Sequence, residues 1–188
     1  MIYNRGQRAD FDNWAQRGNR GWGYVDVLAY FKRTERRIGI GDDRIHGRTG
    51  NLPVTDIDWV HPVCEAFIPG AVGAGIPRGE DYNSGDQQEG VGYFQRGIYR
   101  GYRHSAVRVF RHPARATRRL EVRTDARAAQ ILLDGTRAIG VRYVDGRDRS
   151  VSRTVNARRD VIVSCAAANT AKLLHPGWTG VAAAVARR

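Results

Sequence analysis

Residues 1–35 read MIYNRGQRADFDNWAQRGNRGWGYVDVLAYFKRTE, and residues 46–54 read HGRTGNLPV. In the first stretch, apolar side chains recur at helical spacing over residues 10–16 and again over 24–36, so two helices are predicted there. A glycine-rich loop separates them. The second stretch predicts a short strand at residues 52–55 after a polar loop. The chain therefore opens with mixed helix and strand, and not with a helical bundle or a meander of strands.

The middle of the chain continues this mixture. Residues 61–75 predict a helix that Pro62 opens, with a kink or interruption at Pro69 because proline removes a backbone donor. Residues 91–99 predict a strand. Residues 103–110 predict a further helix that Pro113 ends.

From residue 120 onward the sequence pattern predicts mainly β-strands. Asp-Gly pairs at 134–135 and 145–146 have the chemistry of hairpin turns. The apolar run DVIVS at residues 160–164 suits a buried parallel strand, and a helix is predicted at 167–174. The other predicted strands are residues 120–123, 128–133, 138–144 and 150–155. The fold class predicted is α/β plus α+β.

Composition and charge distribution argue against several classes of function. The net charge is +12, but residues 1–102 carry 13 basic and 13 acidic groups, whereas 103–188 carry 18 and 6. The excess arginines are dispersed and form no basic block, so a nucleic-acid partner is not expected. No apolar run approaches the roughly 20 residues that span a bilayer. Cys64 and Cys165 lie far apart and are interpreted as reduced thiols.

Five ordered groups of residues resemble the glucose–methanol–choline (GMC) oxidoreductases, and within them the choline and alcohol dehydrogenase-like branch. Any one of these groups is weak evidence for the family, but their common order over about 170 residues is strong evidence. They are Gly21-Trp22, Leu28, Tyr30-Phe31 and Glu35; His46-Gly47, Gly50 and Leu52-Pro53-Val54; Asp81-Tyr82-Asn83, Glu89-Gly90 and Gln95; Gly101, Arg103, Ser105-Ala106 and Phe110; and SCAAANTAKLL at 164–174.

The resemblance implies an FAD-dependent enzyme that oxidises the CH–OH group of a small alcohol by hydride transfer to the flavin. It implies an incomplete FAD/NAD(P)-binding, Rossmann-like domain joined to part of a substrate-binding domain. Residues 1–20 would end the first flavin-binding motif and hold the helix after it, and 21–102 would belong to the substrate-binding region. Residues 103–174 would return to the FAD domain, and 175–188 match nothing in the family. The electron acceptor stays open among oxygen, a quinone and a soluble carrier.

The resemblance also implies cofactor-binding positions. Met1 and Ile2 would present backbone to the isoalloxazine, with burial in the core as the alternative for Ile2 and Tyr3. Ala128 would recognise the adenine through its backbone amide and carbonyl, with an ordinary inward strand residue as the equal alternative. Ala166 stands where the family usually has Gly or Ser, and a positive φ there would strain it. No metal ligand is expected.

No catalytic residue is assigned, because the family's histidine base lies in a C-terminal region that this sequence does not match. His46 is interpreted as fixing a loop by hydrogen bonding. The sequence also holds no G-x-G-x-x-G turn to clamp a pyrophosphate: Gly39-Ile-Gly41 runs into Asp42, and Gly73-Ala-Gly75 lacks the third glycine.

We therefore expect a fragment without the FAD-phosphate motif and the catalytic region, inactive alone and prone to aggregate. The Ala/Arg-rich tail suggests a frameshift. Alternatives are a non-catalytic or pseudogene-derived fragment that needs a complementary chain, or a basic nucleic-acid-binding module. The expected location is cytoplasmic, with peripheral association with the inner membrane as an open alternative.

Overall fold

The computed structural model describes residues 1–85, 88–148 and 150–174. The predicted unmatched tail therefore lies outside the described residues. Contacts divide the chain into two compact units, the first Met1–Leu120 and the second beginning at Glu121. Within the described residues no helix is both long and apolar enough to cross a membrane.

The first unit opens with two helices, α1 (Arg8–Gln16) and α2 (Tyr24–Thr34), which confirm the two helices predicted from the sequence. An aromatic cluster joins them: the Phe11 ring lies 5.6 Å from the Phe31 ring and 6.3 Å from the Tyr24 ring. Because aromatic rings bury large apolar areas, this cluster supplies much of the packing between the helices.

The second predicted helix is two residues too long. Strand β1 (Glu35–Arg37) follows α2 directly and pairs in parallel with β2 (Leu52–Val54), the strand predicted at residues 52–55. Helical spacing continues into β1, but the parallel partner and the burial of Glu35 and Arg37 override it.

Helix α3 (Pro62–Gly73) runs through Pro69, so the predicted interruption there is wrong. Proline removes one backbone hydrogen bond, and the remaining bonds and the packing of Ile68 sustain the helix. The chain instead leaves the helix at Gly75, whose φ of +91° lies in the left-handed region.

The strand predicted over residues 91–99 is also mostly wrong. Only β3 (Ile98–Tyr99) is regular, and it forms a hairpin with β4 (Tyr102–Arg103). Upstream, Val91 bridges to Arg78, whereas Arg96 bridges to Ile2 and Thr55. The partner changes along the segment, so no continuous ladder forms.

Pro113 does not end a helix at residue 110. A π-helical segment (Val107–Arg111) leads straight into α4 (His112–Ala116), and Pro113 lies in the first turn of α4. A proline is tolerated there because the first-turn N–H groups have no partner within the helix.

The second unit is an antiparallel sheet of three strands in the order β5–β6–β7, namely β5 (Ala126–Asp134), β6 (Arg137–Asp145) and β7 (Ser152–Asn156). Three of the four predicted strands are thus confirmed, and the hairpin turn falls at the predicted Asp134-Gly135 pair. Residues 120–123 form no strand, since no described segment pairs with them.

The predicted parallel strand at residues 160–164 is wrong. These residues have no regular structure, and Ile162 is 87% exposed. An apolar run becomes a buried parallel strand only beside parallel neighbours, and the described sheet of this unit is antiparallel throughout. Helix α5 (Ala166–Leu174) follows and confirms the predicted helix.

Ala166 has a φ of +58°, which is the left-handed conformation expected to strain alanine. We predict that Ala166→Gly raises the free energy of unfolding by about 1 kcal/mol, because glycine adopts this conformation without a Cβ clash. Urea unfolding of the chain measures it. The matched control Ala168→Gly, inside α5, should instead lower that free energy by about 1 kcal/mol. Equal effects of the two substitutions on the free energy of unfolding would contradict backbone strain at Ala166.

Candidate functional site

The opening segment, residues 1–5, is held by backbone hydrogen bonds to residues 95–97. The Tyr3 amide donates to the Gln95 carbonyl at 2.8 Å, and the Gly97 amide donates to the Met1 carbonyl at 3.0 Å. Ile2 is 66% exposed, so its interpretation as core is wrong in this structure. The segment therefore presents two apolar residues at the surface on a fixed backbone.

Beneath this segment lies a network of charges, the buried ion network, formed by the buried Arg5, Glu35 and His46 and the half-buried Asp81. The Arg5 guanidinium donates to the Glu35 carboxylate, and both side chains are almost fully buried. His46 lies 3.1 Å from Glu35 through Nδ1 and 2.7 Å from Asp81 through Nε2. The Gly47 amide donates to Glu35 at 2.9 Å. Every charge thus has an opposite partner, as burial requires.

Two buried amides close this network into a ring. Gln95 Nε2 donates to Asp81 Oδ1 at 2.8 Å, and Asn83 Nδ2 donates to Gln95 Oε1 at 2.6 Å. The Asn83 Oδ1 atom accepts from the Arg5 amide at 2.9 Å. The ring therefore ties the opening segment to α2–β1, to the loop at His46 and to residues 81–95.

His46 acts as a structural cation in this ring. Burial alone would lower the pKa of His46, but hydrogen bonds and charge from Asp81 and Glu35 outweigh it and raise the pKa to about 9. For Asp81, burial raises the pKa, and the opposing hydrogen bond from His46 gives a net lowering. Both ring nitrogens are engaged, so the geometry supports the loop-fixing role and leaves no atom of His46 for catalysis.

This raised pKa predicts how stability depends on pH. A pKa raised above the unfolded value of about 6.5 gives stabilisation that is complete below that pH and lost as pH rises through about 9. The free energy of unfolding should fall over this window by up to roughly 3 kcal/mol. Urea titrations at pH 6 and pH 9 measure the fall. His46→Gln should abolish it, whereas the control His112→Gln, at an exposed position, should preserve it.

Ala128, the predicted adenine position, lies on β5 opposite Tyr143 of β6. Since β5 is at the edge of the described sheet, part of its backbone has no strand partner. A cavity of about 340 Å³ opens beside it and includes residues of α5. The cavity thus lies between Ala128 and residues of the 164–174 stretch, which carries the last part of the family resemblance. The cavity is lined by Ala126, Arg127, Ala128, Cys165, Asn169, Lys172 and Leu173.

Neither glycine pair forms a phosphate clamp. Gly39 and Gly41 are followed by turns, and no helix begins there. Gly73 and Gly75 lie at the end of α3, where carbonyls and not amides are exposed. Among the described residues, no group of three His, Cys, Asp or Glu side chains could hold a metal ion.

The ring residues were not predicted as a site. Glu35, Asp81, Asn83 and Gln95 all fall within the groups that carry the family resemblance, whereas Arg5 does not. The sequence did contain a hint, because these polar residues lie in the same segments whose glycines and apolar side chains carried the resemblance. Sequence spacing could not show that they converge, because up to 78 residues separate hydrogen-bonded members of the ring.

Comparison with known proteins decides the family. The sequence model of the GMC oxidoreductase family matches residues 1–186, so the match extends through most of residues 175–188, which were expected to match nothing in the family. The chain belongs to the GMC oxidoreductases. Among curated GMC relatives, the oxygen-dependent choline dehydrogenase of Brucella canis is 39% identical over 183 residues, which cover 97% of this chain and 32% of the relative. That of Burkholderia multivorans is 42% identical over 183 residues, covering 96% and 31%. The chain thus spans about a third of the length of these relatives.

Solved structures agree. Pyridoxine 4-oxidase from Mesorbium loti superposes with a TM-score of 0.75 at 33% identity, over 93% of this chain and 34% of that one. An FAD-dependent oxidoreductase from Chaetomium thermophilum superposes with a TM-score of 0.82 at 25% identity, over 93% and 32%. The fold is therefore part of the FAD-binding region of a GMC oxidoreductase, and the cofactor of this choline dehydrogenase-like family is FAD.

Each unit has one place that suits a part of FAD. Met1 and Ile2 are exposed residues on a hydrogen-bonded backbone, which suits contact with a flat ring, and the edge strand that carries Ala128 borders a cavity, which suits a purine. These positions remain predictions. Among the described residues, neither glycine pair offers a turn for the pyrophosphate.

Proposed function

We propose that this chain is the part of an FAD-dependent, choline dehydrogenase-like enzyme that positions the isoalloxazine and the adenine and contributes to the substrate region. The observation that carries the proposal is the opening segment, exposed at Met1 and Ile2 and anchored from below by the buried ring. When bound, FAD accepts the hydride that leaves the carbinol carbon of the alcohol.

In this proposal the chain's own residues bind and orient. The backbone from Met1 to Tyr3 would set the position of the isoalloxazine, and its hydrogen bonds to residues 95–97 couple it to the substrate region. The backbone of Ala128 would hold the adenine. Positioning of this kind supplies a large share of an enzyme's rate, since reacting groups must be held within a fraction of an ångström.

We propose a small alcohol as substrate, with choline as the first candidate because the similar Brucella and Burkholderia enzymes are named for it. The acceptor stays open among oxygen, a quinone and a soluble carrier. We place the enzyme in the cytoplasm, with peripheral association with the inner membrane as the alternative.

We further propose that the 188-residue chain is inactive alone. It has no G-x-G-x-x-G clamp, and the fully engaged His46 leaves no identified base for the alcohol proton. Activity then requires the missing elements, from the same gene or from a complementary chain.

A chimera tests the function. The 183 aligned residues of the Brucella canis enzyme would be replaced by those of this chain, and FAD content and choline-dependent flavin reduction would be measured. We expect bound FAD and reduction by choline. A folded chimera that holds FAD but is reduced by none of a panel of alcohols would contradict the proposed activity. A folded chimera without FAD would contradict the cofactor-positioning role.

A further inference from the structure

A second cavity, in the first unit, is surrounded by cations. It has a volume of about 400 Å³, within the range of small-molecule sites. No Asp or Glu stands among the described residues that line it. We call it the arginine cavity; it is lined by Arg36, Tyr99, Arg100, Tyr102, His104 and Arg108.

Tyrosine rings hold the three guanidinium groups in place. Arg36 and Arg100 lie 5.4 Å and 5.2 Å from the centre of the Tyr99 ring, and Arg108 lies 4.6 Å from the centre of the Tyr102 ring. Such cation–π contacts are stabilising. They hold the guanidinium groups against the rings but do not neutralise the charge.

Among the described residues, no carboxylate neutralises the charge of these guanidinium groups either. Throughout the part of the chain that the structure describes, no carboxylate pairs with the side chains of Arg36, Arg100 or Arg108. Most other arginines of this unit with buried heads do have such partners, as Arg5 has Glu35 and Arg37 has Asp56. The buried Nε–H groups of Arg36, Arg37 and Arg96 all lack a hydrogen-bond acceptor, but Arg37 and Arg96 each have a carboxylate at another nitrogen, whereas Arg36 has none among the described residues. The positive charge around the cavity is therefore not neutralised within the described residues.

The fold brings these charges together from three separate elements. Arg36 comes from β1, Arg100 from the turn between β3 and β4, and Arg108 from the π-helical segment. Arg100 and Gly101 have φ values of +51° and +74°, a pair that makes a tight hairpin turn and sets Arg100 beside Tyr99.

We propose that the arginine cavity binds a phosphate group of a small molecule. Planar guanidinium forks match phosphate oxygens with two hydrogen bonds each, and three of them around one cavity suit a dianion or trianion. A concave site walled by tyrosines favours a small ligand over a nucleic-acid duplex, whose binding needs an extended stripe of charge. This inference is independent of the proposed oxidation.

Calorimetric titration of the full chain with inorganic pyrophosphate tests the site. We expect a dissociation constant of about 1 mM or tighter at low salt. The double variant Arg100→Gln/Arg108→Gln, at two exposed positions, should weaken binding by about tenfold or more. The matched control Arg103→Gln neutralises the neighbour of Tyr102 outside the cavity and should change binding less than about twofold.

A chemical readout works even if the variants fold poorly. Phenylglyoxal modifies accessible arginines, and peptide mass mapping locates the modified residues. Pyrophosphate should protect Arg100 and Arg108 from modification and leave Arg103 unprotected. Equal protection of all three would contradict a defined site.

Further ligands identify the source of the phosphate. Competition by FAD but not by riboflavin would assign the cavity to a dinucleotide phosphate, and competition by neither would assign it to another phosphate ester. Equally tight binding of succinate would overturn the phosphate assignment. Duplex DNA binding that Arg103→Gln weakens as much as the double variant would overturn the small-molecule site, as would no pyrophosphate binding at all.

Discussion

Glu35→Ala is expected to destabilise the first unit by about 3–5 kcal/mol, the largest single-residue effect in the chain. Glu35 is fully buried and accepts hydrogen bonds from Arg5, His46 and the Gly47 amide. Its removal leaves the buried Arg5 guanidinium without a carboxylate and leaves His46 with Asp81 as its only counter-charge in the ring. Because small domains are stable by only 5–15 kcal/mol, much of the helical signal should be lost at moderate urea concentrations.

The matched control is Asp43→Asn, which removes the carboxylate of an exposed pair with Arg48. Its effect should stay within about 1 kcal/mol, because water screens exposed ion pairs. Circular dichroism during urea unfolding measures both. A Glu35→Ala loss no larger than that of Asp43→Asn would contradict the account of the ring as the anchor of the opening segment.

Gly47→Ala is expected to cost about 3 kcal/mol or more. A Cβ built on Gly47 overlaps the backbone carbonyl of Lys32, and it also comes within 2.8 Å of the Glu35 carbonyl. Backbone atoms of α2 and β1 cannot move aside as a flexible side chain would, so the loop that carries His46 must shift.

Gly70→Ala is the control for this change. Gly70 lies inside α3 with no atom within 4 Å of the added Cβ. Alanine there should stabilise the chain by about 0.5–1 kcal/mol, because glycine weakens helix interiors. The same urea experiment measures both variants. If both variants destabilise the chain to the same extent, the close backbone approach is not the reason that position 47 requires glycine.

Local signals in the sequence predicted the local elements well. The apolar spacing of α1 and α2 and the Asp134-Gly135 turn between β5 and β6 were sufficient, because each depends on neighbours in sequence. At Ala166, where the family usually has Gly or Ser, the sequence raised the question of a positive φ, and the structure has one.

Elements that depend on distant partners were predicted poorly. Residues 160–164 have the composition of a buried strand, but a strand exists only with a partner, and Ile162 is exposed here. Residues 35–37 continue a helical pattern yet pair with β2. The buried ring could not be predicted for the same reason: its members converge from segments far apart, and nothing local marks a glutamate as buried.

Titration of the purified chain with FAD, followed by flavin fluorescence and calorimetry, tests the central claim most directly. We propose contacts with the isoalloxazine at Met1 and Ile2 and with the adenine at Ala128, without a clamp for the pyrophosphate. We therefore expect a dissociation constant weaker than about 10 µM, since two partial contact sites lack the main electrostatic anchor. Binding at micromolar concentration or tighter, with choline bleaching the flavin, would contradict it.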